Sequence, residues 1–395
     1  SALVQNYIVG IEQILVDIEA KVDQQFLDEF GLHRGMSQVI SDEVTERLYK
    51  RLKDEALVNY EFAGGTIANT LHNYSVLADD RSVLLGVMSE NIHVGDYAYR
   101  FISNTSSRVD LNYLQPVDDT GERTFGISAG LMNRLHPDSI DESLIINASA
   151  LVISSYLMRT KPGDTMTEAA IKAVKCANAA GVPVVLTLGT KFLIEEEPEF
   201  WRDFVQKYVN ILTMNEEEAL AITGIVDPLQ AADKCLDWVD LVICTAGKDG
   251  LYMAGYVDEK FKRESEYPLV SGYISDFNRY EYSRPMRLQD CSEPMRIYTH
   301  SQPYMGGPES IKNTNGAGDA ALAAILHDLS ANVYHKNTVV NSSKHKQTAL
   351  TYSSLSQMSK YANRASYEVL VQHSPRLSRG LPEREDSLDQ AYWAQ

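Results

Sequence analysis

Apolar and polar positions repeat with two different periods through the middle of the chain. Residues 149–155 (SALVISS) form a short apolar run, as expected of a strand buried on both faces. Residues 165–180 then carry apolar positions at helical spacing and stop at Gly181-Val182-Pro183. The alternation continues with a strand over 184–188 and a helix over 198–208 that places Trp201, Phe204 and Val205 on one face. A strand over 209–214, a short helix over 216–223 and a strand over 241–245 follow. Short β-branched runs separated by helices predict a parallel sheet covered on both faces. Right-handed crossovers then give a doubly wound α/β/α arrangement.

The flanks extend this pattern. The N-terminal part reads as a strand over 3–9, a helix over 42–55, a helix over 66–77, a strand over 82–88 and a helix over 97–103. Two apolar stretches at helical spacing, 320–329 and 347–371, lie near the C-terminus, and 375–389 is charged and irregular. Two regions depart from the alternation. Residues 112–123 are polar and turn-rich, and 255–310 is long, rich in Tyr and Pro and weakly periodic. A structureless loop of that length is uncommon in a compact domain, so 255–310 reads as an insertion with some strand structure.

Composition narrows the partners. The 395 residues include 36 Lys+Arg against 54 Asp+Glu, a net charge of −18. That balance excludes nucleic acid and anionic membrane surfaces as main partners, because both select basic patches. Cys176, Cys235, Cys244 and Cys291 are far apart and form no C-x-x-C, which points to reduced thiols in a cytoplasmic protein. No apolar run reaches the roughly 18 residues of a membrane span. No signal-peptide pattern shows, and an opening Ser1 in place of Met reads as a chain that has lost N-terminal residues.

Five local motifs carry candidate chemistry. Asn313-Thr314-Asn315-Gly316-Ala317-Gly318-Asp319 runs straight into an Ala-rich helix former. The N–H groups of Gly316, Ala317 and Gly318 would point out of a helix N-terminus as an anion site, with Asp319 beside them as a candidate general base. A Gly-rich helix entry with a favourable first-turn Asp accounts for the same residues. Thr245-Ala246-Gly247-Lys248-Asp249-Gly250 follows a strand end, where open parallel sheets place ligands. It reads equally as an ordinary turn. Asn215 and Glu218 have the spacing of a capping box, and the same pair can order Mg²⁺ through waters.

Gly64-Gly65-Thr66-Ile67-Ala68-Asn69 opens a helix. Its glycines allow close approach of a flat or hydroxylated ligand, and Asn69 offers a donor and an acceptor to hydroxyls. A tight loop against the sheet explains it as well. Asp17, just beyond the first strand, can accept two vicinal hydroxyls or sit as a solvated loop acid. The nine His show no paired metal spacing, and His345 reads as solvated. No P-loop, no dinucleotide-binding glycine pattern after the first strand and no nucleophile elbow are present.

In this order the motifs resemble the ribokinase-like (PfkB) family of sugar and nucleoside kinases. Gly64-Gly65…Asn69, Asn215-x-x-Glu218, Thr245-x-Gly247-x-x-Gly250 and 313–319 look like its four signatures. Residues 10–17 and 26–32 are similar to the opening of the adenosine-kinase branch. Residues 72–81, 304–309 and 372–376 are similar to a bacterial branch whose acceptors are inosine and guanosine.

The resemblance implies a three-layer α/β/α sandwich with a mostly parallel sheet, formed as a single domain over 1–395. A small β lid would draw on parts of 15–40 and 100–130. It also implies ATP-dependent phosphorylation of a purine nucleoside 5′-hydroxyl. Asp319 would be the base, with Gly316, Ala317 and Gly318 as the anion hole. Asp17, Gly64, Gly65 and Asn69 would hold the ribose. Asn215, Thr245, Gly247, Gly250 and Asn313 would lie near ATP, and Asn215 and Glu218 would organise Mg²⁺. K⁺ near the anion hole and a homodimer through exposed lid edges fit the same family. Adenosine or a sugar as acceptor, or a non-catalytic nucleotide-binding regulator, are the alternatives.

Three departures stand out. Asn313 replaces the family's usual Asp, and the stretch from Gly250 to Gly316 is longer than usual. Residues 115–120 look short for a lid strand, which would leave residues 121–125 without a hairpin partner, as though a lid segment were absent from the chain.

Overall fold

The structure is a computed structural model. It describes residues 7–11, 15–32, 37–40, 42–56, 58–64, 81–85, 110–117, 125–128, 142–158, 165–189, 191–265, 277–303 and 317–370, with single positions at 70, 73, 77, 138, 140 and 274. In chain order the strands are β1 (Tyr7–Ile11), β2 (Leu15–Lys21), β3 (Ser37–Ile40), β4 (Val58–Gly64), β5 (Arg81–Leu85), β6 (Asp110–Val117) and β7 (Phe125–Ser128). They continue with β8 (Ala150–Ser154), β9 (Val184–Thr187), β10 (Ile211–Asn215), β11 (Leu241–Thr245), β12 (Leu251–Asp258) and β13 (Pro294–Ser301). The helices are α1 (Gln24–Glu29), α2 (Asp42–Asp54), α3 (Glu142–Ile146), α4 (Thr165–Ala180), α5 (Lys191–Glu196), α6 (Pro198–Tyr208), α7 (Glu216–Thr223), α8 (Pro228–Cys235), α9 (Ala317–Thr338) and α10 (Leu355–Leu370).

Eight strands form the central sheet in the order β13-β12-β11-β10-β9-β8-β1-β5. The six from β5 to β11 run parallel, and β12 and β13 close that edge antiparallel. Alternate side chains of each strand feed different layers, as the pleat requires. On β8, Leu151 and Ile153 join the core with α4, α6, α7 and α8, while Ala150 and Val152 join the core with α9 and α10. Both faces are therefore covered, as the near-continuous apolar strands imply. Helix α9 is buried around nearly its whole circumference from Ala320 to Leu326, so its alanines let it lie close under the sheet.

Local signals set several element ends. Pro198 opens α6, and Gly224 ends α7 with a left-handed φ of 74°. The helices expected over 66–77 and 97–103 and the tail 375–389 lie outside the described residues, apart from positions 70, 73 and 77. The apolar stretch 347–371 becomes helical only at Leu355. Before it, buried Arg284 binds the carbonyls of Lys344 and Thr351 and the Asn332 side chain, which holds the preceding residues in a loop.

Five strands form a second sheet, ordered β3-β7-β6-β2-β4. Its strand β4 falls outside the ranges expected for the lid. Of residues 121–125 only Phe125 lies among the described residues; it opens β7 opposite Ser37 of β3, and β7 pairs with β6 through Tyr113↔Ile127 and Leu114↔Gly126. The polar letters of 110–117 concealed a strand that the β-formers Leu111, Tyr113, Leu114 and Val117 support. Strand β2 leaves the C-terminal end of β1 after three residues, so this second sheet rises from the edge where the parallel strands end.

Candidate functional site

The described candidate residues on β10, β11, the 245–250 turn and α9 gather at one edge of the central sheet. β10 ends at Asn215 and β11 at Thr245, and these two residues are register partners. Helix α9 runs antiparallel to those strands. Its C-terminal half, at Leu329, Asn332, Val333 and Lys336, lines a cavity of about 340 Å³ together with Ser149, Gly181 and Pro183, which precede β8 and β9. A helix of 22 residues spans about 33 Å, so its first turn, with Ala317, Gly318 and Asp319, lies at the opposite edge. Gly318 is exposed, and a Cβ there would meet nothing within 4 Å.

Residues 245–250 form a tight turn held by its own backbone. Ala246 N–H donates to Gly250 O at 2.8 Å, and Asp249 N–H to Ala246 O at 2.9 Å. Gly250 has φ 89° and ψ −140°, a conformation open to glycine alone. A Cβ at Gly250 would lie 2.0 Å from the Ser301 carbonyl oxygen at the end of β13. The His300 ring, stacked on Tyr252 across the β12–β13 pair, contacts the Asp249 carbonyl. The turn is thus seated on β13 as well as on β11.

Asn215 and Glu218 make the complete capping box. Asn215 Oδ1 accepts from Glu218 N–H at 2.8 Å, and Glu218 Oε1 accepts from Asn215 N–H at 3.0 Å. Glu218 is 6% exposed, and burial pushes its carboxyl up to about 7. The Asn215 N–H opposes that shift, and nearby Glu217 adds to it. Among the described residues, no three of His, Cys, Asp and Glu come together as a metal cage. The pair offers one carboxylate and one amide at the strand end, each with an oxygen engaged in the cap; a donor set this small could meet a magnesium ion only through water.

The raised Glu218 value has a consequence for folding. A carboxyl raised from 4.5 to about 7 favours the folded state fully below its unfolded value and loses that contribution as pH rises through about 7. The loss is on the order of 3 kcal/mol. Glu218→Gln keeps the cap and removes the titration. In EDTA, urea unfolding should show the wild-type chain losing stability between pH 5 and pH 8 by a margin that Glu218→Gln lacks. Equal pH slopes in the two proteins would contradict this account.

On the nucleoside side, Asp17 lies in β2, inside the second sheet and not in a loop, opposite Phe62 and Tyr113. Gly64 ends β4 opposite Leu15, at the base of that sheet. Gly65, Asn69, Asn313 and Gly316 lie outside the described residues. His345, read from sequence as solvated, is half-buried with Nε2 2.7 Å from His335 Nδ1.

Comparisons with known proteins show the family and the fold. Residues 106–268 match the pfkB family of carbohydrate kinases. The chain is 61% identical over 398 aligned residues to the guanosine-inosine kinase of Escherichia coli strain K12, an alignment covering 98% of this chain and 92% of that protein. The chain belongs to the pfkB family of carbohydrate kinases. Solved structures with this family's fold superpose along nearly the whole chain. Adenosine kinase from Sinorhizobium meliloti does so with a TM-score of 0.69 at 19% identity, covering 98% of this chain and 99% of its own. A ribokinase II from Escherichia coli, described as putative and solved with ATP and Mg²⁺, does so with a TM-score of 0.57 at 16% identity, covering 94% of each chain. At such identities the likeness establishes the fold alone, a three-layer sandwich with a mostly parallel sheet.

The sequence did not single out the contacts that join the two glycine motifs. Ser301 meets Gly250, and three polar residues of α10 reach the ends of β13 and α9. The signal available was the i, i+4, i+7 spacing of the small polar residues at 359, 363 and 366.

Proposed function

We propose that this chain transfers the γ-phosphoryl group of ATP to the 5′-hydroxyl of guanosine and inosine. One observation carries the reading: 61% identity along 98% of the chain to a guanosine-inosine kinase. The gathering of Asn215, Thr245, Gly247, Gly250 and the α9 start at one sheet edge supports it.

In this reading the Asp319 carboxylate takes the proton as the 5′-oxygen attacks the γ-phosphorus. The bond to the β,γ-bridging oxygen breaks, and ADP leaves. The N–H groups of Gly316, Ala317 and Gly318 steady the charge on the equatorial oxygens. Asp17, Gly64, Gly65 and Asn69 hold the ribose at the lid base, and Thr245, Gly247, Gly250 and Asn313 flank the ATP phosphates. Asn215 and Glu218 would hold magnesium, which supplies charge neutralisation at the phosphates. A chain of charge −18 can bind ATP this way, because metal, backbone N–H groups and a helix N-terminus do the work of a basic surface. Mg²⁺, K⁺, pairing of two copies through lid edges and a cytoplasmic location rest, in this reading, on kinship with the family.

Steady-state kinetics with MgATP and a panel of guanosine, inosine, adenosine, ribose and fructose tests the reading. We expect kcat/KM for guanosine and inosine about tenfold or more above the rest, and no turnover in EDTA. Preference for adenosine or a sugar, or no ATP consumption with any acceptor, would overturn it.

A further inference from the structure

Helix α10 carries a polar stripe at i, i+4 and i+7, made of Ser359, Asn363 and Ser366. In a helix these positions share one face. Each member reaches a different backbone or side-chain point at the phosphate edge. Ser359 Oγ, fully buried, lies 2.7 Å from Ser301 Oγ at the end of β13. Asn363 Nδ2 donates to the Gln302 carbonyl one residue further on. Ser366 Oγ donates to the Ala317 carbonyl in the first turn of α9 at 2.7 Å.

A serine inside a helix ordinarily bonds back to its own preceding turn. Ser366 instead crosses to another helix. A carbonyl oxygen has two lone pairs, so Ala317 can take this hydroxyl beside its helical partner. Ser301 is also the residue whose carbonyl touches Gly250. A continuous path therefore runs from the 245–250 turn through Ser301 and α10 to the start of α9. The 245–250 turn and the first turn of α9 are both held against one helix, although Gly250 and Ala317 stand 67 positions apart in the sequence.

We propose that Ser359, Asn363 and Ser366 are positioning residues, and that Ser366 in particular sets the orientation of the N–H groups at 317–319 relative to the 245–250 turn. The role rests on the reading of these two segments as the phosphate side of a kinase site. Anion stabilisation of this kind depends on donors placed before the reaction, and small misplacements cost rate more than binding.

The test compares Ser366→Ala and Ser366→Thr in the full chain, with Ser359→Ala as a second point on the stripe. For Ser366→Ala we expect kcat to fall about tenfold, with the nucleoside KM within about twofold and the unfolding midpoint nearly unchanged. Thr restores the hydroxyl and should restore most of kcat. Ser359→Ala should move kcat in the same direction. Amide hydrogen exchange over 321–324, whose N–H groups bond back into the first turn of α9, should speed up in Ser366→Ala without substrates and return towards wild type with Thr.

Unchanged kcat together with unchanged exchange would overturn the proposal. So would a kcat loss that Thr does not rescue, or one matched by a general loss of stability. If the wild-type chain phosphorylates no nucleoside, the functional reading fails. The exchange measurement then still decides whether Ser366 orders the α9 start.

Discussion

Asp319→Asn is expected to lower kcat about 10³-fold while leaving nucleoside affinity within about threefold. A positioned general base contributes roughly 10² to 10⁴ in rate, and Asn has the shape of Asp but cannot take the proton. The folding cost is much smaller. Asp319 lies in the first turn of α9, where a negative charge contributes about 0.3–1 kcal/mol through the helix dipole. A rate effect of 10³ corresponds to about 4 kcal/mol of barrier, so the two effects separate cleanly. Single-turnover rates report the first, and calorimetric titration of nucleoside reports the second. Near-normal turnover in Asp319→Asn would remove Asp319 from the role of base.

Gly250→Ala should be the most damaging single-methyl change at the site, at about 3–5 kcal/mol of stability. Two costs add. The backbone at φ 89° and ψ −140° costs an L-residue about 1–3 kcal/mol. The added Cβ would also lie 2.0 Å from the Ser301 carbonyl oxygen, so the end of β13 or the turn must move. Gly224→Ala is the internal control. Its φ is also positive, at 74°, but a Cβ there meets nothing within 4 Å. That variant should lose only about 1 kcal/mol. Urea unfolding of the two proteins compares them directly, and KM for ATP should rise only in Gly250→Ala. Equal destabilisation of the two variants would show that the contact with Ser301 is not the governing cost.

Much of the architecture was legible because its signals are local. The bounds of Thr165–Ala180, Pro198–Tyr208 and Glu216–Thr223 follow from helical spacing, a first-turn Pro, an Asn cap and the stop at Gly224, all within a few residues of each end. The Asn215–Glu218 box was legible for the same reason. Strand β6 was not, because Asn112, Gln115 and Pro116 resemble a turn until β2 and β7 pair on either side. The α10 start was misplaced because Arg284, more than 60 residues upstream, holds the loop before it. The His335–His345 pair escaped notice because its members meet only after α9 ends and the chain turns back.

The site shows the same division. Sequence spacing picked out the glycine motifs, since a tight turn or a helix entry needs only neighbouring residues. It passed over what fixes their relation to each other. Ser301 and Ser359, Gln302 and Asn363, and Ala317 and Ser366 are 58, 61 and 49 residues apart, and none of these pairs leaves a pattern that a local reading can find.

The central claim is transfer of a phosphoryl group from ATP to a purine nucleoside 5′-oxygen. Incubating the protein with γ-labelled ATP, Mg²⁺ and guanosine, and then separating the nucleotides, tests it most directly. The account predicts that label leaves ATP and appears in guanosine 5′-monophosphate, one per ADP formed, and that Asp319→Asn slows the transfer about 10³-fold. Label that stays in ATP, or that is released only as inorganic phosphate, would contradict it.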